Sequence, residues 1–222
     1  MHTSGSAVHL DDGHHQSLLQ VLKESRRLGF LGPGDIESQV LHAYGFVELL
    51  IRLAPSSSEP LEWLDIGAGG GLPGLVIAHA LVDSQGVLLD AMEKRADFLR
   101  WALPRLGAAD RVSVVRARAE EWAHHPGQTA CASVVVARGF GPPALTAECA
   151  ARFLRVGGRL VVSEPPMSDG ERWAGVGASD MGLHLVETVQ LPAGSFAVLT
   201  KVHETPDALP RRGAALVKRP LF

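Results

Sequence analysis

Apolar positions recur along this chain with two different periods, and the change of period divides it. From Gln16 to Leu28 the residues Leu18, Val21, Leu22 and Leu28 fall at helical spacing until Gly29 stops the pattern. A second helix is predicted behind Asp35, which can cap it, with Ile36, Val40, Tyr44, Val47 and Ile51 marking one face through Leu53. The stretch 54–60, Ala-Pro-Ser-Ser-Ser-Glu-Pro, carries no core-forming residue and marks the clearest boundary. Residues 1–13 show no apolar period and are expected to be poorly ordered. The expected organisation is therefore a loose start (1–13), a helical extension (14–54) and a main domain (61–222).

Past the boundary, short apolar runs alternate with helical patterns over short connections. Strands are predicted at Glu62–Ile66, Val87–Asp90, Val112–Arg116, Ser133–Ala137 and Arg159–Ser163, with helices at Pro73–Val82, Lys94–Leu106 and Ala144–Leu154. That alternation is the mark of a parallel sheet covered on both faces. The last two β-rich runs, Leu183–Val189 and Ser195–Lys201, are joined by Leu191-Pro192-Ala193-Gly194, close enough for an antiparallel hairpin. The predicted fold class is α/β: a doubly wound, mostly parallel seven-stranded sheet, Rossmann-like, ending in an antiparallel hairpin. The hairpin points away from dinucleotide-binding dehydrogenases and toward class I methyltransferases.

Composition narrows the picture. With 222 residues and 46% hydrophobic content, the chain can bury one sizeable core. The balance of 21 Lys and Arg against 24 Asp and Glu, a net charge of -3, argues against a surface that coats nucleic acid but leaves room for a local basic patch. Apolar stretches such as Leu75–Val82 are too short to cross a bilayer, and 1–15 lacks a signal pattern, so a cytoplasmic location is expected. Cys131 and Cys149 read as buried reduced thiols. The adjacent pairs His14-His15 and His124-His125 project apart without a partner at ligand spacing, so no metal is expected.

The candidate chemistry begins at Leu64-Asp65-Ile66-Gly67-Ala68-Gly69-Gly70-Gly71-Leu72-Pro73-Gly74, a buried strand running through glycines into a helix. Glycines allow a sharp turn and close approach of a ligand, and Pro73 suits the first helical turn. Gly69, Gly71 and Gly74 spell a dinucleotide fingerprint, but the strand ends at Ile66, so the loop opens at Gly67 and Leu72 takes the place of the third glycine. Asp90, at the end of the next strand, is placed to accept hydrogen bonds from both hydroxyls of a ribose. Asp65 can compensate an ammonium group but would repel a pyrophosphate, which favours a methionine-derived nucleoside over a dinucleotide. Ala68, Gly69, Gly71, Ala91 and Met92 join these as expected cofactor contacts.

The run Asp90-Ala91-Met92-Glu93-Lys94-Arg95-Ala96-Asp97-Phe98-Leu99, the Leu-Pro-Gly end of the loop, Arg118-Ala119-Glu120-Glu121 and the tail Leu209-Pro210-Arg211-Arg212-Gly213 with Lys218-Arg219-Pro220-Leu221 carry a family resemblance. The chain resembles the bacterial small-subunit ribosomal RNA methyltransferase G family, also called glucose-inhibited division protein B. The resemblance implies S-adenosyl-L-methionine as cofactor, 16S rRNA or the small ribosomal subunit as partner, and methylation at guanine N7. It also implies that Gly67 and Leu72 contact the cofactor, that Ala119 and Glu120 lie at its adenine end, and that Arg138 closes the site near the methyl donor. Two stretches depart from the family pattern: 29–38 holds Gly-Pro-Gly-Asp where a Trp-Asn and Asn-Leu-Thr signature is usual, and Ser163-Glu164-Pro165-Pro166 stands where a Lys-Gly pair is usual.

Guanine N7 carries a free lone pair and no hydrogen, so holding it in line with the methyl group suffices and no general base is expected; no catalytic residue is assigned. Lys94, Arg95, Arg138, Arg211 and Arg212 are the expected RNA contacts, with Arg116, Arg118, Lys218 and Arg219 as further basic positions. Phe140 is the candidate for stacking a flipped base. Two alternatives stay open: a small-molecule methyltransferase on the same fold, which a basic groove from Arg138 to the tail would disfavour, and a cofactor-binding module without transfer activity.

Overall fold

A computed structural model describes residues 12–54, 60–173 and 175–222. In chain order the elements are α1 (Asp12–Arg27), α2 (Ile36–Leu53), β1 (Glu62–Ile66), α3 (Gly74–Ala80), β2 (Gln85–Asp90), α4 (Glu93–Arg105), β3 (Val112–Arg116), α5 (Ala119–Trp122), β4 (Ala132–Ala137), α6 (Pro143–Ala151) and β5 (Leu154–Glu164). A 3-10 turn (Glu171–Trp173), α7 (Val176–Asp180), β6 (Leu183–Leu191), β7 (Gly194–Lys201) and α8 (Ala214–Lys218) complete it. Most of the linker predicted at 54–60 and of the loose start lies outside the described residues; α1 begins at Asp12, inside the segment expected to be loose.

The seven strands form one sheet in the order β3-β2-β1-β4-β5-β7-β6. β1 to β5 run parallel, and β7 enters antiparallel to both β5 and β6. The last two strands follow their burial. β7 (Ser-Phe-Ala-Val-Leu) is apolar on consecutive residues and lies inside the sheet, whereas the more polar β6 takes the edge. The predicted α/β class and closing hairpin are both present.

Two boundaries differ from expectation for local reasons. The helix predicted to Leu154 stops at Ala151, because Leu154 pairs with Ala132 and begins an 11-residue strand whose register shifts before Arg159. The helix predicted from Pro73 begins at Gly74; Pro73 is its N-cap, after a cis bond from Leu72. The prediction for α2 is met at its start, where the Asp35 carboxylate accepts from Ser38 N at 2.8 Å.

Each face of the sheet carries its own core. On one face Leu18, Leu22, Phe46 and Leu50 of α1 and α2 join Leu75, Leu88, Val134 and Phe196, so the helical extension shares a core with the sheet. On the other face Ile66, Leu89 and Val135 pack with Ala147, Cys149 and Phe153 around α6, and the tail residues Leu209 and Leu216 belong to that cluster.

Candidate cofactor and active site

The glycine loop leaves β1 at the carboxyl edge of the sheet. Gly67 N and Ala68 N both donate to Leu89 O, at 2.8 and 3.0 Å, which ties the loop to the end of β2. Gly67 has φ +72°, and a Cβ there would stand 2.6 Å from Cδ2 of the Phe140 ring, so both conformation and contact require glycine. Gly70 faces the helical extension: Ser25 Oγ donates to its carbonyl at 2.8 Å, and a Cβ would meet Leu31 and Phe30 O at 2.7 Å. The stretch that departs from the family pattern thus starts by bracing the loop.

The N-terminus of α3 offers no open anion site. Gly74 N donates to Asp65 Oδ2 at 2.9 Å, Leu75 N to Gly71 O at 2.7 Å, and Val76 N and Ile77 N to Pro73 O at 2.9 and 3.0 Å. The four amides of this first turn, which would face a pyrophosphate, are already bonded. Asp65 and the loop carbonyls thus occupy the first turn of α3, which leaves the dinucleotide reading without a phosphate site there.

Asp90 reaches back under the same loop. Its Oδ2 accepts from Gly69 N at 2.9 Å and its Oδ1 from Met92 N at 2.8 Å, while the Arg95 guanidinium stands 3.9 Å away. Each oxygen keeps a further lone pair. A cavity of about 170 Å³ opens beside it, and among its walls are Gly67, Asp90, Ala91, Ala119, Glu120 and Phe140. Six of the residues singled out from sequence therefore meet around one space. Asp65, Ala68, Gly69, Gly71, Leu72, Met92 and Arg138 do not line it. The Leu72 side chain is buried in the core with α1 and α2, so its only route to a ligand is its backbone. Phe140, expected to stack on a flipped base, packs on Gly67 as a wall of this cavity.

A second cluster lies on the opposite face of the loop. Asp65 is fully buried, and its Oδ1 has no hydrogen-bond partner among the described residues. Burial raises its carboxyl to about 8, against the Gly74 bond and the nearby Arg138, which lower it. Burial lowers the Arg138 guanidinium, with Asp65 countering. Arg138 also acts on His42 of α2, whose ring burial holds at about 4 and therefore neutral. The His42 ring sits 5.1 Å from Phe196 and edge-on to Phe46, and its buried Nδ1 is unpartnered among the described residues. Sequence reading missed His42, since a lone histidine on a helix face gives no signal until the fold sets it beside Arg138.

Four of the nine basic positions named from sequence, Arg95, Arg116, Arg118 and Arg211, stand in ion pairs. Arg211 donates its guanidinium to both oxygens of buried Glu148, at 2.9 and 2.8 Å, and its N–H to Oε1 at 2.6 Å. Arg116 pairs with Glu93 at 2.6 Å and Arg118 with Glu120 at 3.5 Å. Lys94 and Arg212 remain exposed. Arg211, expected to contact RNA, is held by Glu148 in a bidentate pair. Where the family usually has Lys-Gly, buried Glu164 accepts from Trp173 Nε1 at 2.8 Å and Ser168 Oγ at 2.6 Å and pins the segment that follows β5.

Burial pushes the Cys149 thiol up, with Glu120 and Glu148 adding to it, and burial likewise raises Cys131, as inert reduced thiols require. Among the described residues no group of three His, Cys, Asp or Glu side chains could hold a metal, and no helix is long and apolar enough to cross a membrane. A larger cavity, about 510 Å³, opens at the amino edge between Glu62, Gln85, Arg111 and Trp122, where the single turn of α5 leaves the sheet uncovered. It lies at the end of the strands away from the glycine loop.

Known proteins match this chain across that site. A family model described as rRNA small subunit methyltransferase G matches residues 27–170. The ribosomal RNA small subunit methyltransferase G of Rubrobacter xylanophilus is 34% identical over 71% of this chain and 64% of its own length. The proteins of the same name from Moorella thermoacetica (30% identical; 78% and 75% covered) and Deinococcus deserti (34%; 72% and 68%) match similarly. Among solved structures, a putative O-methyltransferase from Klebsiella pneumoniae (TM-score 0.57, 18% identical) and an O-methyltransferase from Bacillus cereus (TM-score 0.58, 16%) each cover 84% of this chain and 90% of their own. These two carry the fold alone, that of class I methyltransferases. On the family model and the relatives, this chain belongs to the rRNA small subunit methyltransferase G family.

Proposed function

We propose that this protein is an S-adenosylmethionine-dependent methyltransferase that methylates N7 of a guanine in the 16S rRNA of the small ribosomal subunit. The observation that carries the reading is the meeting of Gly67, Asp90 and Ala119–Glu120 around one carboxyl-edge cavity in a chain of this family. The residues fit the cofactor. Asp65 Oδ1 is a buried acceptor in want of a donor, suited to an ammonium group, and the free lone pairs of Asp90 suit two ribose hydroxyls.

When bound, the cofactor supplies an electrophilic methyl group on a sulfonium. The protein's part is placement. Asp90 and the loop it anchors fix the nucleoside end, and Asp65 fixes the amino-acid end. Phe140 walls the cavity from water. Arg138 and His42 flank the side where the acceptor enters, one cationic and one neutral. Held there, the cofactor would supply its methyl group to guanine N7, the positive charge leaving with the methyl group from sulfur for the base. No proton is removed, which suits a site without a general base.

The internal pairing of Arg211, Arg116 and Arg118 favours a second reading, a small-molecule acceptor on the same fold. Incubation with methyl-labelled cofactor decides between them, using three acceptors: intact small subunits lacking the modification, naked 16S rRNA, and a deproteinised metabolite extract. Label in either RNA sample supports the proposal. Label confined to the extract overturns it.

A further inference from the structure

The family match ends at residue 170, yet the chain beyond β7 returns to the cofactor cavity. It is pinned on the way. Buried Lys201 donates through Nζ to Ala151 O and Met181 O, both at 2.8 Å, and also bonds the Thr205 hydroxyl. Arg152 holds the Asp207 carboxylate at 3.2 Å, His124 Nε2 meets Pro210 O at 2.8 Å, and Glu148 takes Arg211. These anchors come from α6 and its C-cap, from the segments after α5 and α7 and from the end of β7, and they fix the direction in which the chain leaves Arg211.

After Gly213, α8 lies across the opening between α5 and α6. Leu216 is buried, and with Val217 it faces Gly67, Asp90, Ala119 and Glu120 across the cavity. The same two residues border a second, apolar cavity of about 320 Å³ against Pro142, Pro143 and Phe222. Helix α8 is thus a partition between two spaces, held firmly upstream and capped by no side chain at its own start. Its apolar side chains oppose the polar loop and the Asp90 carboxylate, which is the arrangement that takes a flat ring by its face and a sugar by its hydroxyls.

We infer that the C-terminal segment 214–218 is a wall of the cofactor site, with Leu216 and Val217 contacting the purine ring of the bound nucleoside. This rests on reading the carboxyl-edge cavity as the cofactor site. It assigns the tail to cofactor enclosure, with the Arg211–Glu148 pair as the anchor that positions it.

The test measures S-adenosylhomocysteine binding by calorimetry in the full-length wild type and in Leu216→Ala and Val217→Glu, with hydrogen exchange of the 214–218 amides. Leu216→Ala should raise Kd about tenfold. Val217→Glu, at a position exposed enough to leave folding intact, should weaken binding as well. In the wild type the ligand should slow exchange over 214–218. Unchanged affinity in a folded Val217→Glu, together with slowing confined to the glycine loop and Ala119–Glu121, overturns the wall. Failure of the wild type to bind the ligand at all overturns the cofactor reading itself, and the wall with it.

Discussion

The Asp65 carboxylate accepts from Gly74 N at 2.9 Å through Oδ2 and leaves Oδ1 buried and unpartnered among the described residues. One side chain thus caps the helix after the glycine loop and keeps an acceptor in reserve. Because burial raises its pKa to about 8, Asp65 is mostly protonated in the free protein at neutral pH. A cofactor ammonium placed beside it favours the ionised form. Binding of S-adenosylhomocysteine between about pH 6 and 7.5 should therefore release up to about one proton and tighten as pH rises. Calorimetry in buffers of different ionisation enthalpy measures this release. Asp65→Asn should abolish it, and an unchanged release in that variant would place the proton elsewhere.

The same group sets a stability trend in the free protein. Below about pH 4 it is protonated in folded and unfolded chains alike. Between about 4 and 8 the folded chain keeps a proton that the unfolded chain has lost, so its contribution is fully present at the acid end and lost as pH rises through the folded value. Melting temperatures of wild type and Asp65→Asn should diverge over that window, the wild type losing ground toward pH 8.

Asp90 anchors Gly69 N and Met92 N while facing the cavity. Asp90→Ala removes two charge-assisted bonds to the backbone as well as the expected ribose contacts, and should weaken cofactor affinity by about 10–100-fold. Calorimetry with S-adenosylhomocysteine checks it. Affinity within twofold of wild type would move the cofactor away from this edge.

Adjacent arginines should behave oppositely. Arg211→Ala strands the buried Glu148 carboxylate and should cost about 3–5 kcal/mol of stability. Exposed Arg212→Ala should leave melting unchanged and lower the slope of log affinity for RNA against log salt by about 1. Denaturation and filter binding at several salt concentrations separate the two.

His42 sits against Phe46 and Phe196, close enough to Arg138 to feel its charge, and on the proposed function its neutral ring would border the side where the acceptor enters. His42→Gln should lower kcat/KM for RNA by about tenfold while leaving the Kd for S-adenosylhomocysteine within about twofold, the signature of lost acceptor positioning. An equal loss in both would assign the ring a packing role.

Short-range patterns were legible from sequence, and couplings across the chain were not. The strand runs, the Asp35 cap and the glycine loop declare themselves within a few residues, whereas the order β5-β7-β6, which puts the later strand of the hairpin inside the sheet, was not read from the sequence. Arg211 and Glu148 are 63 positions apart, and no local feature tells a paired arginine from a free one. Leu216 gives no cavity signal either, because the path of the tail depends on Glu148, Arg152, His124 and Lys201, none of which is its neighbour in the chain. The single turn of α5 fell below the length at which helical periodicity can be seen.

Most direct for the central claim is base-resolved mapping of the product. Methylation at guanine N7 leaves a charged ring that borohydride reduction and aniline treatment convert to a strand break, which amino, ring-carbon or ribose methylation does not. Small subunits treated with this protein and S-adenosylmethionine should yield one new cut in 16S rRNA at a guanine, absent with Asp90→Ala. Stoichiometric label in the RNA without a cut would contradict N7 transfer, and with it the account of a site that needs no base.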